Sequence, residues 1–363
     1  MKKILIVIGT RPNFIKVTQF KKIAKSYQNI EIKIAHTGQH YDKNMVDVFF
    51  NQFNLKPDYF LNIDPILSPN KQISQIMSKL EDLILDEYYP DLVITPGDVN
   101  STLATSITAN KMGIKLAHLE SGLRSFDRRM PEENNRLVTD ELSNFFFVTE
   151  KSGLHNLTNE GKKGNQVFVG NTMIDTLVAY ETEIEKSNII HDYNLLNKKY
   201  ILTTIHRPSN VDNKEGIEKL INIITSLSDF IFFFPIHPRT VKNVDMFDLK
   251  TKFENLENLI LTEPLGYFEF QKLIKYSQLV LTDSGGIQEE TTYRQIPCLT
   301  LRENTERPIT INKGSNTLMP FDINLILSKV NQIENGTYKK GQIPELWDGK
   351  ATERIMKFIS NIK

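Results

Sequence analysis

The chain has 363 residues, with 44 basic and 44 acidic side chains and therefore no formal net charge. That length exceeds what one core usually spans, so two domains are expected, and the even balance argues against a protein that binds nucleic acid by neutralising phosphates. A single cysteine, Cys298, excludes an intrachain disulfide framework, and no run of about 18 apolar residues is present to form a membrane span. In chain order, apolar strand-like runs fall at 3–8, 30–36, 91–95, 114–119, 144–148, 166–169, 199–205, 229–236, 258–261, 278–282 and 297–301. Longer amphipathic stretches at 71–87, 98–112, 172–187, 214–227 and 285–294 read as helices between them. This alternation predicts an α/β fold of two Rossmann-like, doubly wound domains facing a cleft, with ligands at the carboxyl ends of the strands. The expected domains are 1–170 and 171–349, with a last helix near 350–362 crossing back onto the first; the polar run 186–198 offers few anchors. The N-terminus enters a strand at once, which predicts no signal peptide and a cytoplasmic protein.

The first strand leads into Gly9-Thr10-Arg11-Pro12-Asn13, with Lys16 just beyond. Pro12 suits the first position of a helix. Arg11 and Lys16 bracket that helix start, within reach of an anion or simply solvated. The segment lacks both the dinucleotide fingerprint and the Walker spacing. Thr37-Gly38-Gln39-His40 is a polar turn after the second strand. Asp98 follows the strand 91–95 and reads as a reactive carboxylate or a helix N-cap. Glu120 ends the next strand, in His118-Leu119-Glu120-Ser121-Gly122-Leu123-Arg124. Glu132 and Glu133 open the helix after Pro131, where dipole compensation is the plain alternative, and Arg136 follows on the same helix. Clustered carboxylates raise one another's pKa, so that one serves as acid while another serves as base. No His-rich spacing accompanies them, so neither a metal nor a redox cofactor is expected.

In the second half, His206-Arg207 and His237-Pro238-Arg239 end consecutive strands, an arrangement suited to anion binding or acid–base work. The run Thr282-Asp283-Ser284-Gly285-Gly286-Ile287-Gln288-Glu289-Glu290 reads as strand, tight turn and helix N-terminus, which suits phosphate. An ordinary glycine-capped turn is the alternative. Cys298 sits in a strand-like run and reads as a small buried hydrophobe. Arg307 adds a cation in Thr305-Glu306-Arg307-Pro308.

Together, Gly9-Thr10-Arg11-Pro12, His118-x-Glu120-x-Gly122-Leu123-Arg124, Pro131-Glu132-Glu133-x-Asn135-Arg136, His206-Arg207, Ser284-Gly285-Gly286-x-Gln288-Glu289-Glu290 and Thr305-Glu306-Arg307-Pro308 resemble the non-hydrolysing UDP-N-acetylglucosamine 2-epimerase family, within the two-Rossmann-domain (GT-B) nucleotide-sugar enzymes. The resemblance implies epimerisation at C2 of a UDP-2-acetamido sugar through UDP elimination to a 2-acetamidoglucal and re-addition. It implies Asp98, Glu120, Glu132 and His206 as catalytic residues, with the base and acid not distinguished. It implies Arg11, Lys16, Arg136, Arg207, Ser284, Gly285, Gly286, Glu290 and Arg307 as UDP-sugar-binding residues, and a homodimer. Gln39, His40 and His237 match parts of a second, activating UDP-sugar site seen in some bacterial members. Asn13 stands where the family commonly has Glu, which raises a 6-deoxy-2-acetamido or 2,3-diacetamido uronic UDP-sugar as the substrate. A GT-B glycosyltransferase, which would share the Ser-Gly-Gly turn, and a non-catalytic nucleotide-sugar sensor are the competing readings.

Overall fold

A computed structural model describes residues 1–38, 50, 52–64 and 67–362. The chain divides into two compact units, Met1–Ala179 with Glu345–Lys363, and Tyr180–Pro344. The first holds a seven-stranded, wholly parallel sheet of β1 (Lys2–Ile8), β2 (Ile30–His36), β3 (Tyr59–Phe60), β4 (Leu92–Pro96), β5 (Lys115–Leu119), β6 (Phe145–Val148) and β7 (Asn165–Phe168), in the order β3-β2-β1-β4-β5-β6-β7. The second holds six parallel strands, β8 (Tyr200–Thr204), β9 (Ile231–Pro235), β10 (Leu259–Thr262), β11 (Leu279–Thr282), β12 (Cys298–Leu301) and β13 (Asn316–Met319), in the order β10-β9-β8-β11-β12-β13. The α/β class and the doubly wound pattern are as the sequence predicts. The short strands β3 and β13 are additional: two residues of β3 carry too little apolar sequence to be seen, and β13 pairs only along the edge of β12.

Parallel strands covered on both faces bury every side chain, which explains the unbroken apolar runs. Ile4 to Ile8 are all at most 1 % exposed. In the second sheet Ile201, Phe232, Phe234, Leu279 and Leu281 enter one core layer, while Tyr200, Leu202, Phe233 and Val280 enter the other. Alternate residues thus serve opposite faces, as strand geometry requires. Cys298 lies wholly inside, and burial pushes its thiol up to about 11, which fits the reading as a small hydrophobe. Among the described residues no helix is long and apolar enough to cross a membrane.

The first unit runs on to Ala179 rather than ending at 170, because the helix Thr172–Ala179 is tied into it. Thr176 Oγ1 donates to the Ile15 carbonyl at 2.5 Å and lies 2.6 Å from Thr18 Oγ1. The stretch expected as one helix over 172–187 is interrupted at Tyr180, and Glu181–Lys186 belongs to the second unit. The polar run 186–198 has anchors after all: Ile189, Ile190 and Leu195 are buried in the second unit's core. The chain re-enters the first unit at Glu345, ahead of the last helix. Trp347 is buried there and its indole N–H donates to the Thr149 carbonyl at 3.1 Å. Gly170 has to lack a side chain, since a β-carbon would lie 2.0 Å from the Leu346 carbonyl oxygen.

Asp175 anchors the last helix, Ala351–Asn361. Its carboxylate accepts the backbone N–H of Ala351 at 3.0 Å and of Thr352 at 2.5 Å, two of the donors a helix N-terminus leaves unpaired. Asp175→Ala is expected to lower unfolding stability by about 1–3 kcal/mol. Urea unfolding of the full chain measures this, and a loss below about 0.5 kcal/mol would remove the anchoring role.

Candidate active site

In an open parallel sheet, ligands gather at the carboxyl edge where neighbouring strands send their connections to opposite faces. In the first unit that point lies between β1 and β4, and in the second between β8 and β11.

At the first switch point the loop after β1 is braced by Asn13. Its side-chain carbonyl accepts from Gly9 N at 3.3 Å and Thr10 Oγ1 at 3.1 Å, and its amide donates to the Pro96 carbonyl at 3.2 Å. Asn13 is 2 % exposed, and these three bonds lie between the loops themselves, so it reads as a brace rather than a sugar contact. Pro12 occupies the start of the helix Arg11–Ile15 as expected. Arg11 is half-buried, and burial pulls its guanidinium below the ordinary value.

Gly97, just past β4, takes the left-handed φ of +72°. A β-carbon there would lie 3.0 Å from Asn13 Nδ2, 3.5 Å from Lys16 Nζ and 3.6 Å from Glu120 Oε2. Three motifs far apart in sequence therefore meet at one glycine. Lys16 and Glu120 form an ion pair with both side chains buried. Glu120 itself has a φ of +73°, rare for a residue with a side chain. Asp98 does not cap the next helix: Val99 holds that position without a side-chain bond. The Asp98 carboxylate pairs instead with Arg136, and the Asn135 amide donates to the Asp98 carbonyl at 2.8 Å.

The helix Pro131–Leu142 separates its two acids. Glu132 is exposed on the first turn. Glu133 is buried and accepts from Arg136 at 2.6 Å, from Ser125 N at 2.9 Å and from Phe126 N at 3.0 Å. Burial opposes its charge, but these donors outweigh it and hold the carboxyl below the ordinary range. Arg136 is buried between Asp98 and Glu133, so it orients Asp98.

At the second switch point a residue that sequence reasoning passed over sits at the centre. Asp283 has no exposed surface and accepts backbone N–H groups of His206 at 3.0 Å and Arg207 at 2.8 Å, plus the Asn210 amide at 3.0 Å. His206 Nδ1 lies 3.0 Å from the same carboxylate. Burial works against the Asp283 charge; the bonds and attraction from His206, with those from Arg207 and Asn210, overcome it and hold the carboxyl below its usual range. The His206 ring is thereby aimed by Nδ1, with Nε2 on the opposite side and 38 % of the side chain exposed. An acid between a buried strand and a Gly-Gly turn was the signal for this role.

The helix Gly286–Arg294 starts directly after Ser284-Gly285. Gly285 has an ordinary right-handed φ of −73°, so its need for glycine is spatial: a β-carbon would lie 3.2 Å from Arg307 and 3.2 Å from Glu306. Ser284, Gly285 and Gly286 keep partial exposure at the helix start, where free N–H groups and the dipole favour an anion. Arg307 is buried, with Nε 2.9 Å from Glu289 and a further pairing to Glu306. Arg302, also missed, pairs with Glu306 at 3.1 Å and places NH1 3.7 Å from the Gly285 β-carbon position. A cation at the end of a buried strand was its signal. Glu290 is buried further along this helix. Burial pushes its carboxyl up to about 7, the Glu289 charge adds to this, and Gln271, Arg294 and Tyr267 oppose it. His237 is exposed and caps the helix Pro238–Met246, accepting from Arg239 N at 3.1 Å, with its ring 5.2 Å from that of His206. Gln39 and His40 lie outside the described residues.

Known proteins are similar to this chain over most of its length. The family described as UDP-N-acetylglucosamine 2-epimerase matches residues 22–360. A UDP-N-acetylglucosamine 2-epimerase of Methanococcus maripaludis is 41 % identical over 92 % of this chain and 92 % of its own. A UDP-2,3-diacetamido-2,3-dideoxy-D-glucuronate 2-epimerase of Pseudomonas aeruginosa is 34 % identical over 99 % of this chain and 100 % of its own. The crystal structure of the Methanocaldococcus jannaschii UDP-GlcNAc 2-epimerase, in complex with UDP-GlcNAc and UDP, superposes with a TM-score of 0.88 at 38 % identity and covers 99 % of both chains. With the family match over residues 22–360 and relatives of this identity over nearly the full length, this chain belongs to the UDP-N-acetylglucosamine 2-epimerase family.

Proposed function

We propose that this chain interconverts the C2 epimers of a UDP-2-acetamido sugar, with UDP-GlcNAc and UDP-ManNAc as the pair. The observation that carries the reading is in the first unit: Lys16 and Glu120 meet as an ion pair at Gly97, and the next residue, Asp98, is paired with Arg136. Carboxylates held ready by fixed cations suit removal and return of a proton at carbon. The second unit supplies the groups for UDP: the N-terminus of Gly286–Arg294, with Ser284, Gly285, Gly286, Arg207 and His206.

In the reaction a carboxylate takes the C2 proton. The C–H electron pair becomes the C1–C2 double bond, and the C1–O bond breaks with its pair leaving on the β-phosphate of UDP. The proton is weakly acidic, so the step depends on stabilising the departing diphosphate. His206, aimed by Asp283, presents Nε2 for that oxygen, with Arg207 adding charge; Arg307 holds the Ser-Gly-Gly turn in shape, and Arg11 is the cation the first unit offers to an anion. Return of a proton to the other face and re-addition of UDP give the epimer. Asp98 and Glu120 are the groups at the sugar carbon. Glu132, exposed, suits the acid that trades its proton with water. Glu290 accepts ribose hydroxyls. The reading includes a cytoplasmic homodimer. His237 serves its own helix as a cap, so an activating site there has less to stand on. The likeness to the diacetamido-uronate 2-epimerase keeps a modified UDP-sugar as the second reading, and Asn13 gives it no support.

Incubation with UDP-GlcNAc in heavy water, followed by NMR at C2, tests the proposal. Deuterium at C2 with UDP retained is expected. UDP release with free ManNAc would instead mean hydrolysis, and exchange only with a diacetamido uronate would move the assignment to the second reading. Asp98→Asn, Glu120→Gln and Glu132→Gln are each expected to cut exchange by about 10²–10⁴-fold while UDP affinity stays within about tenfold. Full exchange in all three variants would end the carboxylate assignment.

The raised Glu290 gives a pH dependence with a definite sign. Its carboxyl sits near about 7, and the ionised form is the better acceptor for ribose hydroxyls. Below that value it is mostly protonated and binding weakens; above it binding strengthens. UDP affinity measured by calorimetry is expected to rise by about tenfold across the two pH units centred there, relative to Glu290→Gln, which cancels the ligand's own titration. Parallel profiles in both proteins would show that Glu290 does not touch the nucleotide.

A further inference from the structure

His118 lies in β5 two residues before Glu120 and has no exposed surface. Its Nδ1 is 2.6 Å from Asp140 Oδ1, and its Nε2 is 2.7 Å from the carbonyl oxygen of Gly97. A carbonyl oxygen only accepts. Asp140 is an acceptor as well: its other oxygen takes the Gly122 N–H at 3.1 Å and Arg124 NH2 at 2.7 Å. Burial opposes the charge on Asp140, but His118 and Arg124 outweigh it and keep the carboxyl below its ordinary range. A neutral imidazole has one N–H and one lone pair, so one of these short contacts would set a lone pair against an acceptor.

We infer that His118 is a buried imidazolium and a positioning residue, whose two N–H groups fasten the Gly97–Asp98 turn to the helix Pro131–Leu142. The consequence reaches the proposed acids. Gly97 precedes Asp98, and its left-handed backbone fixes where that carbonyl points. The helix held at Asp140 also carries Glu132, Glu133 and Arg136, and Glu120 is on the same β5 edge as His118. One ring therefore sets three segments in register. Arg124 NH2 reaches both Asp140 and Glu160 at 2.7 Å, which holds the Asp140 carboxylate in place as the ring's acceptor.

The charge is read without substrate. In full-length protein with ¹⁵N-labelled histidine, both ring nitrogens of His118 are expected to carry a proton, because each faces an acceptor, with the signals assigned by their loss in His118→Gln. A single protonated nitrogen near neutral pH would overturn the inference. Asp140→Asn is the second variant, expected to return the ring to one proton by removing its counter-charge; a ring still doubly protonated there would also count against it. The positioning role rests on the C2 epimerase reading. His118→Gln keeps one donor of two, and is expected to lower kcat for C2 exchange by about 10–100-fold with KM within about threefold. An unchanged kcat would overturn positioning. Absence of exchange in the parent protein would strike the epimerase reading alone, leaving the ring's charge state to stand or fall by the spectrum.

Discussion

The placement of every candidate residue in this chain depends on one constraint of parallel sheets: every strand must end on the same edge. The first strand of each sheet lies inside it, β1 between β2 and β4, and β8 between β9 and β11. Chain leaving such a strand and chain leaving its neighbour depart toward opposite faces, and the edge between them stays open. The residues proposed for function follow those strands. Arg11 and Lys16 come after β1, Gly97 and Asp98 after β4, His206 and Arg207 after β8, and Ser284 to Gly286 after β11. The largely apolar strands, buried on both faces, hold these loops at fixed spacing, and Thr282 at the end of β11 accepts the Ser284 N–H at 3.0 Å.

Around those loops the charges are buried in matched sets: Lys16 with Glu120, Arg136 with Asp98 and Glu133, His118 and Arg124 with Asp140, and Arg307 with Glu289 and Glu306. Taking an ion out of water costs several kcal/mol, so such sets contribute little to stability. Their effect is orientation, since each side chain is confined to the rotamer in which its partner is satisfied. Asp175 shows the contrast. It is buried too, but it binds backbone amides of the last helix, and burial pushes its carboxyl up against the pull of the Thr352 and Ala351 bonds. That is an anchor, whereas the paired acids at the strand ends are aimed.

The fold was legible because apolar runs and helical periodicity are local signals, and strong ones where both faces are buried. The two-residue β3 and the break at Tyr180 lack such a signal; the first depends on pairing with β2 and the second on which unit each half of the stretch packs against. The candidate residues could be picked out where polar groups are concentrated in short motifs at strand ends, as at Asp98, Glu120 and Ser284. What the sequence hid was the division of labour. Glu133, Arg136 and Asp140 recur at helical spacing on one face of Pro131–Leu142, a pattern that marks the buried face, and Glu132 falls off it. Asp283, Arg302 and His118 are polar residues at or within buried strands, where each must find partners, and those partners come from loops far away in sequence.

Glu120 shows why a site of this kind keeps local strain. A non-glycine residue at φ +73° costs about 1–3 kcal/mol, and the surrounding structure has to impose it. Here the imposition is visible: the N–H groups of Glu120 and Ser121 both donate to the Phe147 carbonyl on β6, at 3.1 and 3.3 Å. Gly122 then takes φ +77° against Gly153, where a β-carbon would meet the carbonyl oxygen at 2.4 Å. The chain is thus turned sharply off β5 before its ladder can continue. Glycine would satisfy that backbone at position 120 with no penalty, yet the residue present is a glutamate whose carboxylate meets Lys16. Relaxed backbone and a carboxylate at this spot exclude one another, and the chain has kept the carboxylate.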